Sequence, residues 1–248
     1  MSDGAVFAGL ILAAGKGSRF QTESGDPLPK VLRPVLGRPM VSYVIDTLRG
    51  SGVAEVVLIV GYRANDVTSE LGDGFAYVFQ EEQKGSGHAV ACAGGHFAGF
   101  DGHLIVMCGD SPLFREETVR RMMREHIEAG AVVTLASATL DDPFGYGRIL
   151  RDCFGRIVGV VEEKCADDAQ RAIREVNGGA YAFDAGWLFA NIDAMAVNEA
   201  GEYNLTDMVR VAIEQGRTVS AVQCDPVELL GVNTPSQLEV VEEILRTR

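Results

Sequence analysis

The chain has 248 residues, 47% of them hydrophobic, with a net charge of -13 and an isoelectric point of about 4.7. That length supports one sizeable core, or one large domain with a smaller lobe, and the acidic balance argues against a broad nucleic-acid footprint, which needs clustered cations. The five cysteines (Cys92, Cys108, Cys153, Cys165, Cys224) are odd in number and never closely paired, which argues against a disulfide or zinc framework and for free thiols in a reducing cytoplasm.

The N-terminus is acidic and leads into an apolar run, Val6–Ala14, that reads as a strand and not as a signal peptide. No apolar stretch is long enough to span a bilayer, so a cytoplasmic protein with no membrane partner is expected. The run is continuous, not alternating, which suits a central strand of a parallel sheet. It ends in Ala13-Ala14-Gly15-Lys16-Gly17-Ser18-Arg19. Two glycines let a backbone bend and bring its N–H groups close to an anion, and Lys16 and Arg19 add charge there. The other reading of such a turn is purely structural. The spelling fits neither a Walker loop nor a G-x-G-x-x-G fingerprint, because Phe20 stands at the last glycine position.

A polar loop, Gln21–Asp26, precedes Pro27-Leu28-Pro29-Lys30, where two prolines hold Lys30 in a defined position. A helix follows near Met40–Arg49, then a strand at Glu55–Val60, a helix at Ala64–Leu71 and a strand near Phe75–Phe79. Gln80 to Ala89 is a glycine-containing turn opening a small-residue helix that runs to about Gly94. A strand at Leu104–Cys108 ends in Gly109-Asp110, a helix covers Glu116–Ala129, and a strand covers Val132–Ala138. This alternation predicts an α/β fold with a doubly wound, mostly parallel sheet. Carboxylates at the carboxyl ends of such strands are where ligands bind.

After Thr139 the rhythm changes. Two short strands, one at Ile149 and one at Arg156–Val161, are joined like a hairpin. A helix at Asp167–Arg174 and a glycine-interrupted strand at Val176–Phe183 follow. These pieces suit a small antiparallel lobe beside the main sheet. A helix near Ala185–Asn191, a helix near Leu205–Gln215, a strand at Thr218–Val222 and a final helix from Thr234 or Ser236 complete the chain. The expected organisation is one domain over residues 1–248, with one part at about 1–138 and the lobe and return at about 139–248.

Four groups of residues carry candidate chemistry. Asp110 and Asn233 each follow an apolar strand-like run with a glycine just before, and together offer the hard oxygens that Mg²⁺ takes. Singly, Asp110 reads equally as a helix cap and Asn233 as a turn. Lys16, Arg19 and Lys30 are the cations a triphosphate would need, or ordinary solvated charges. Gln80, Gly85 and Ser86 suit a base edge and a close ring approach, or a turn with an N-cap. Gly147, Glu162, Asn177 and Thr206 suit hydroxyl recognition, or exposed loops. Nucleophilic catalysis finds little support: there is no G-x-S-x-G elbow, and the four histidines have no zinc spacing.

Taken together, Leu12–Arg19, Leu28–Leu32, Gly85–Ala89, Gly109-Asp110, Asp142-Pro143 with Gly145–Ile149, Glu162, Asn177, Gly201–Tyr203 with Thr206-Asp207, and Gly231–Asn233 resemble the uridylyltransferase domain of the bacterial N-acetylglucosamine-1-phosphate uridylyltransferases, which are sugar-nucleotide pyrophosphorylases. The words stand in the family's order over nearly the whole chain. The resemblance implies a Rossmann-like nucleotide-diphospho-sugar transferase fold with a sugar-binding lobe. It implies that Leu12, Ala13, Ala14, Gly15, Gln80, Gly85 and Ser86 hold uridine. Lys16 and Arg19 would hold the leaving phosphates, Lys30 the reacting ones, Asp110 and Asn233 Mg²⁺, and Gly147, Glu162, Asn177 and Thr206 the sugar. The partners implied are UTP and a sugar-1-phosphate, N-acetylglucosamine-1-phosphate above others, for a cell-envelope precursor. The alternatives are another sugar or NTP, or a module that binds nucleotide sugar without turnover, although the phosphate cations and metal ligands are all present.

Three departures stand out. The family continues into a left-handed β-helix acetyltransferase domain, so acetyl transfer and trimerisation through that domain are not expected of these 248 residues. Gly178 follows Asn177 where Thr or Ser is usual, and Asn204 stands where a second Tyr is frequent. Both changes fall where an N-acetyl group would be recognised.

Overall fold

In the computed structural model, which describes residues 4–17, 20 and 28–248, the opening apolar run forms β1, Phe7–Ala13. Its side chains alternate between two cores: Ala8 and Leu10 enter one, and Phe7, Ile11 and Ala13 enter the other. Burial on both faces is why the run is continuously apolar. Two-residue strands β2 (Pro34–Val35) and β3 (Arg38–Pro39) then pair and turn the chain into α1, Met40–Ser51. Strands this short leave no period in a sequence, and none was expected there.

The alternation then runs β4 (Val56–Val60), α2 (Ala64–Leu71), β5 (Ala76–Phe79), α3 (Ser86–Cys92), β6 (His103–Cys108), α4 (Glu116–Glu128) and β7 (Val133–Thr139). The hairpin is β8 (Arg148–Arg151) with β9 (Ile157–Val161). After it come α5 (Asp168–Arg171), β10 (Glu175–Asp184), α6 (Ala185–Asn191), α7 (Asp207–Glu214), β11 (Val219–Gln223) and α8 (Pro235–Arg246). The main sheet has the order β11-β7-β10-β6-β1-β4-β5, and β4, β5 and β6 run parallel to β1. Helices α3, α6 and α7 pack on one face, and α1, α2 and α4 on the other. A smaller core under α8 joins Phe20, Met40, Leu113 and Val241.

Three expectations change. The strand expected in a small lobe is β10, and it lies inside the main sheet, antiparallel to both β6 and β7. Ala180 and Ala182 enter one core while Tyr181 and Phe183 enter the other, so this strand needs both faces covered. Its glycine interruption is a register shift between Asn177 and Tyr181, with Gly179 at a φ of 75°. Second, the helix expected over 167–174 is one turn, capped by Asp167 and Gln170. Leu140 and Arg174 already pair main chain to main chain, and that extended pairing stops the helix. Third, the run before Asn233 is no strand: Pro226–Leu229 is a 3-10 turn, and the chain then extends so that Val232 N donates to Asp110 O at 2.9 Å.

Candidate active site

Because β1, β4, β5 and β6 are parallel, their carboxyl ends meet at one edge of the sheet. There β1 releases Ala14–Gly17, β5 ends at Gln80 and β6 ends at Gly109-Asp110. They rim a cavity of about 430 Å³. Leu12, Ala14, Gly15, Lys16, Lys30, Gln80, Gly85, Ser86 and Asp110 all line it. Ala13 does not, since its side chain is buried in the core beneath α1. Arg19 falls outside the described residues, as does the loop Gln21–Asp26.

Lys30 starts a 3-10 turn, Lys30–Leu32, whose Val31 and Leu32 are buried. Its ammonium donates to the Asp110 carboxylate and, at 3.0 Å, to Asn233 Oδ1. Residues 80 and 203 positions away in sequence therefore meet on one cation. Asp110 caps no helix, because Arg115 is the N-cap residue of α4. The Asn233 main chain is fixed by Gln237 Oε1, which accepts from Asn233 N at 2.7 Å. A carboxylate and an amide oxygen converging on one cationic point suit a hard divalent cation that takes few protein ligands and completes its shell with phosphate and water. Among the described residues, no cluster of three or more His, Cys, Asp or Glu offers a richer metal site.

The phosphate-loop candidate is tightly fitted. Gly17 has a φ of 61°, and a Cβ there would lie 2.8 Å from Lys30 Cβ. Only glycine lets the loop cross the lysine stem at that distance. Cys108 also lines the cavity, and burial, reinforced by Asp110, pushes its thiol up to about 12, so it is no nucleophile at neutral pH.

The Gln80–His88 turn works differently from the sequence reading. Gln80 Nε2 donates to Gly85 O at 3.2 Å and to His88 Nδ1 at 2.9 Å, so the buried amide stitches the turn to α3. Ser86 does not cap α3; its hydroxyl accepts from Leu205 N at 3.0 Å. The helix expected near Leu205–Gln215 is Asp207–Glu214, with Thr206 at its N-cap. Gly87 N donates to Tyr203 O, and Tyr203 N donates to Lys84 O, both at 2.8 Å. A Cβ on Gly85 would lie 2.5 Å from Tyr203 O. The glycines here admit another stretch of the chain, whatever else they admit.

The fourth group also assembles. Thr206 Oγ1 donates to Glu162 Oε1 at 2.9 Å, and Asn177 N donates to Gly147 O at 2.8 Å. A Cβ on Gly147 would stand 3.5 Å from Glu162 Oε2. Asn177 Nδ2 donates to the Tyr181 hydroxyl at 2.6 Å. Burial pushes that hydroxyl up, and Glu162 and Cys108 act on it in the same direction. In the sheet Tyr181 pairs with Val106 of β6, two positions before Cys108.

Several residues had no assigned role in the sequence. Glu202 and Gln83 line the cavity, and Glu202 was only a letter in Gly201-Glu202-Tyr203. Arg148, buried at 2% exposure, pairs with Glu163 at 2.7 Å and donates to Tyr146 O. Glu163 Oε2 also accepts from Gly145 N at 3.0 Å, and the Arg148 guanidinium, helped by that bond, lowers the Glu163 carboxyl. This brace sets Gly147 and Glu162, the neighbours of Arg148 and Glu163. The signal was an arginine beside a glycine on a strand of the hairpin.

A family model described as the MobA-like NTP transferase domain matches residues 9–178. The chain is 44% identical over 246 residues to the bifunctional protein GlmU of Pelobacter propionicus, covering 97% of this chain and 52% of that protein. It is 43% identical over 244 residues to the protein of the same name from Pelotomaculum thermopropionicum, again covering 97% and 52%. The chain therefore spans about half the length of the curated relatives it matches. Among solved structures it is similar to a chain from Bacillus anthracis reported as a glucose-1-phosphate thymidylyltransferase in complex with sucrose. The TM-score is 0.79 at 20% identity, covering 98% of this chain and 96% of that one, a likeness of fold.

Proposed function

The chain belongs to the MobA-like NTP transferase family and is a nucleotidyltransferase, and on that premise we propose that it joins UTP to N-acetylglucosamine-1-phosphate, giving UDP-N-acetylglucosamine and pyrophosphate. The observation that carries the site assignment is the meeting of Asp110 and Asn233 on the ammonium of Lys30, which with Asp110 lines the strand-end cavity. The similarity to proteins named GlmU supports the choice of substrates.

In this reading an oxygen of the sugar-1-phosphate attacks the α-phosphorus of UTP, and the bond to pyrophosphate breaks in line. Such a transfer needs positioning and charge stabilisation, and no covalent enzyme intermediate. The Leu12–Gly15 stretch, Gln80, Gly85 and Ser86 hold the nucleotide. Lys16 and Arg19 hold the departing phosphates, and Lys30 neutralises the reacting ones. Asp110 and Asn233 would hold the metal, Mg²⁺, which when bound supplies charge neutralisation on the phosphates. Gly147, Glu162, Asn177 and Thr206 hold the sugar, with the Thr206–Glu162 bond fixing the carboxylate as an acceptor for sugar hydroxyls.

Gly178 favours a second reading with another sugar. A Cβ there would approach Ala136 O at 3.1 Å and Leu229 side-chain carbons at 3.2 Å, so a Thr or Ser would need those neighbours to shift. The test is pyrophosphate release with UTP, N-acetylglucosamine-1-phosphate and Mg²⁺, run beside other sugar-1-phosphates and other NTPs. Release dependent on metal and fastest with the named pair is expected. Release with no sugar-1-phosphate at all would refute the reading.

A further inference from the structure

The ammonium of Lys30 donates to both oxygens assigned above to the metal, the Asp110 carboxylate and Asn233 Oδ1. A point between two oxygens cannot hold an ammonium and a divalent cation together, because the two cations repel and the ammonium has no lone pair to offer. The lysine is brought there by the fold. Pro29 leads into the Lys30–Leu32 turn, Val31 and Leu32 anchor it in the core, and the Gly17 backbone lies against the lysine stem. The head remains on a flexible four-carbon stem. Gly15, Lys16 and Gly17 line the same cavity, so the loop assigned to the triphosphate is within the same space. Asp110 and a bound triphosphate are therefore two anionic destinations for one ammonium.

We infer that Lys30 is a displaceable counter-ion in the metal seat: its ammonium neutralises Asp110 in the nucleotide-free protein and moves to the triphosphate when nucleotide and cation bind. This rests on the assignment of Asp110 and Asn233 as metal ligands. Asp110 then stays neutralised in both states. The free protein binds a divalent cation weakly, and nucleotide makes the seat available.

The test is Mn²⁺ binding to the nucleotide-free chain, read from the electron paramagnetic resonance signal of free Mn²⁺. Wild type is compared with Lys30→Met and with Lys30→Gln, two variants so that a misfolded one does not decide the result. Both are expected to bind one Mn²⁺ at least about tenfold more tightly than wild type, the factor that about 1.4 kcal/mol corresponds to. Adding Asp110→Asn to either is expected to remove the gain. Lys16→Met takes a solvent-exposed charge from the same cavity and is expected to change the affinity less than about twofold. Unchanged or weaker Mn²⁺ binding in both Lys30 variants, or an equal gain in Lys16→Met, would overturn the displacement. The metal assignment fails separately, and the displacement with it, if Asp110→Asn leaves UTP-dependent Mn²⁺ binding untouched.

Discussion

The two sides of the proposed site are built by different means: the strand-end cavity, and the group around Glu162 and Thr206, which borders a separate cavity of about 450 Å³. The side made by β1, β5 and β6 is largely main chain and strand ends: a glycine loop, a carboxylate after β6 and a turn that opens α3. The side made by the β8–β9 hairpin, the irregular stretch of β10 and residues 203–206 relies on side chains holding one another. Thr206 reaches Glu162 across 44 positions, and Arg148 holds Glu163 from within the protein. Strand-end geometry comes with the sheet and keeps its shape when one side chain such as Asp110 is replaced, although the chemistry at that side chain is lost. A side-chain cluster depends on each member, so the second side is the easier one to retune and the easier one to break.

That contrast sets the order of expected effects. Asp110→Ala removes the one carboxylate that Lys30 and the proposed metal share. Pyrophosphate release is expected to fall by about a thousandfold, with the far-ultraviolet circular dichroism of the wild type retained. Wild-type-like turnover in the folded variant would refute the role given to Asp110. Arg148→Met strikes the other side. It takes from Glu163 its ion-pair partner at 2.7 Å and is expected to lower the midpoint of urea unfolding. Its KM for sugar phosphate should rise while its KM for UTP stays near wild type. An equal rise in both constants would show that the two sides are not separable in this way.

Acid should strike neither side directly. His126 is 1% exposed, and burial, reinforced by His103, lowers it to about 4. Burial lowers His103 as well. An unfolded histidine takes its proton near 6.5. Both groups are depressed in the folded state, so their contribution is intact above about pH 6.5 and is lost as pH falls toward 4. His126 alone should remove about 2 kcal/mol between pH 7.5 and 5. A His126→Gln variant whose stability falls by the same amount over that range would refute the assignment. The smallest effect is at Thr206. Thr206→Val removes one hydrogen bond to a carboxylate, about 1 kcal/mol, and should raise the KM for sugar phosphate roughly fivefold. An unchanged KM would place the sugar away from Glu162.

The same contrast explains what a reader of the sequence can and cannot see. The run before Gly15, the Asp after β6 and Gly85 beside Ser86 are local signals, and each lands on the cavity. The strand expected at Val176–Phe183 was visible, but its place was not. Gly178 and Gly179 broke the apolar pattern, and nothing local says that a strand near residue 180 inserts between β6 and β7. The Ser86 hydroxyl looked like a cap because no local rule points 119 residues ahead to Leu205. Lys30 was legible as a cation near a phosphate loop. Its hold on both Asp110 and Asn233 is a tertiary fact, as is the brace that Arg148 makes with Glu163.

The central claim is that both sides serve one direct displacement with no uridylyl-enzyme. Labelled pyrophosphate tests it when incubated with enzyme, UTP and Mg²⁺, with and without N-acetylglucosamine-1-phosphate. The account predicts that label enters UTP only when the sugar phosphate is present. Label entering UTP without it, or failing to enter in either case, would contradict the account.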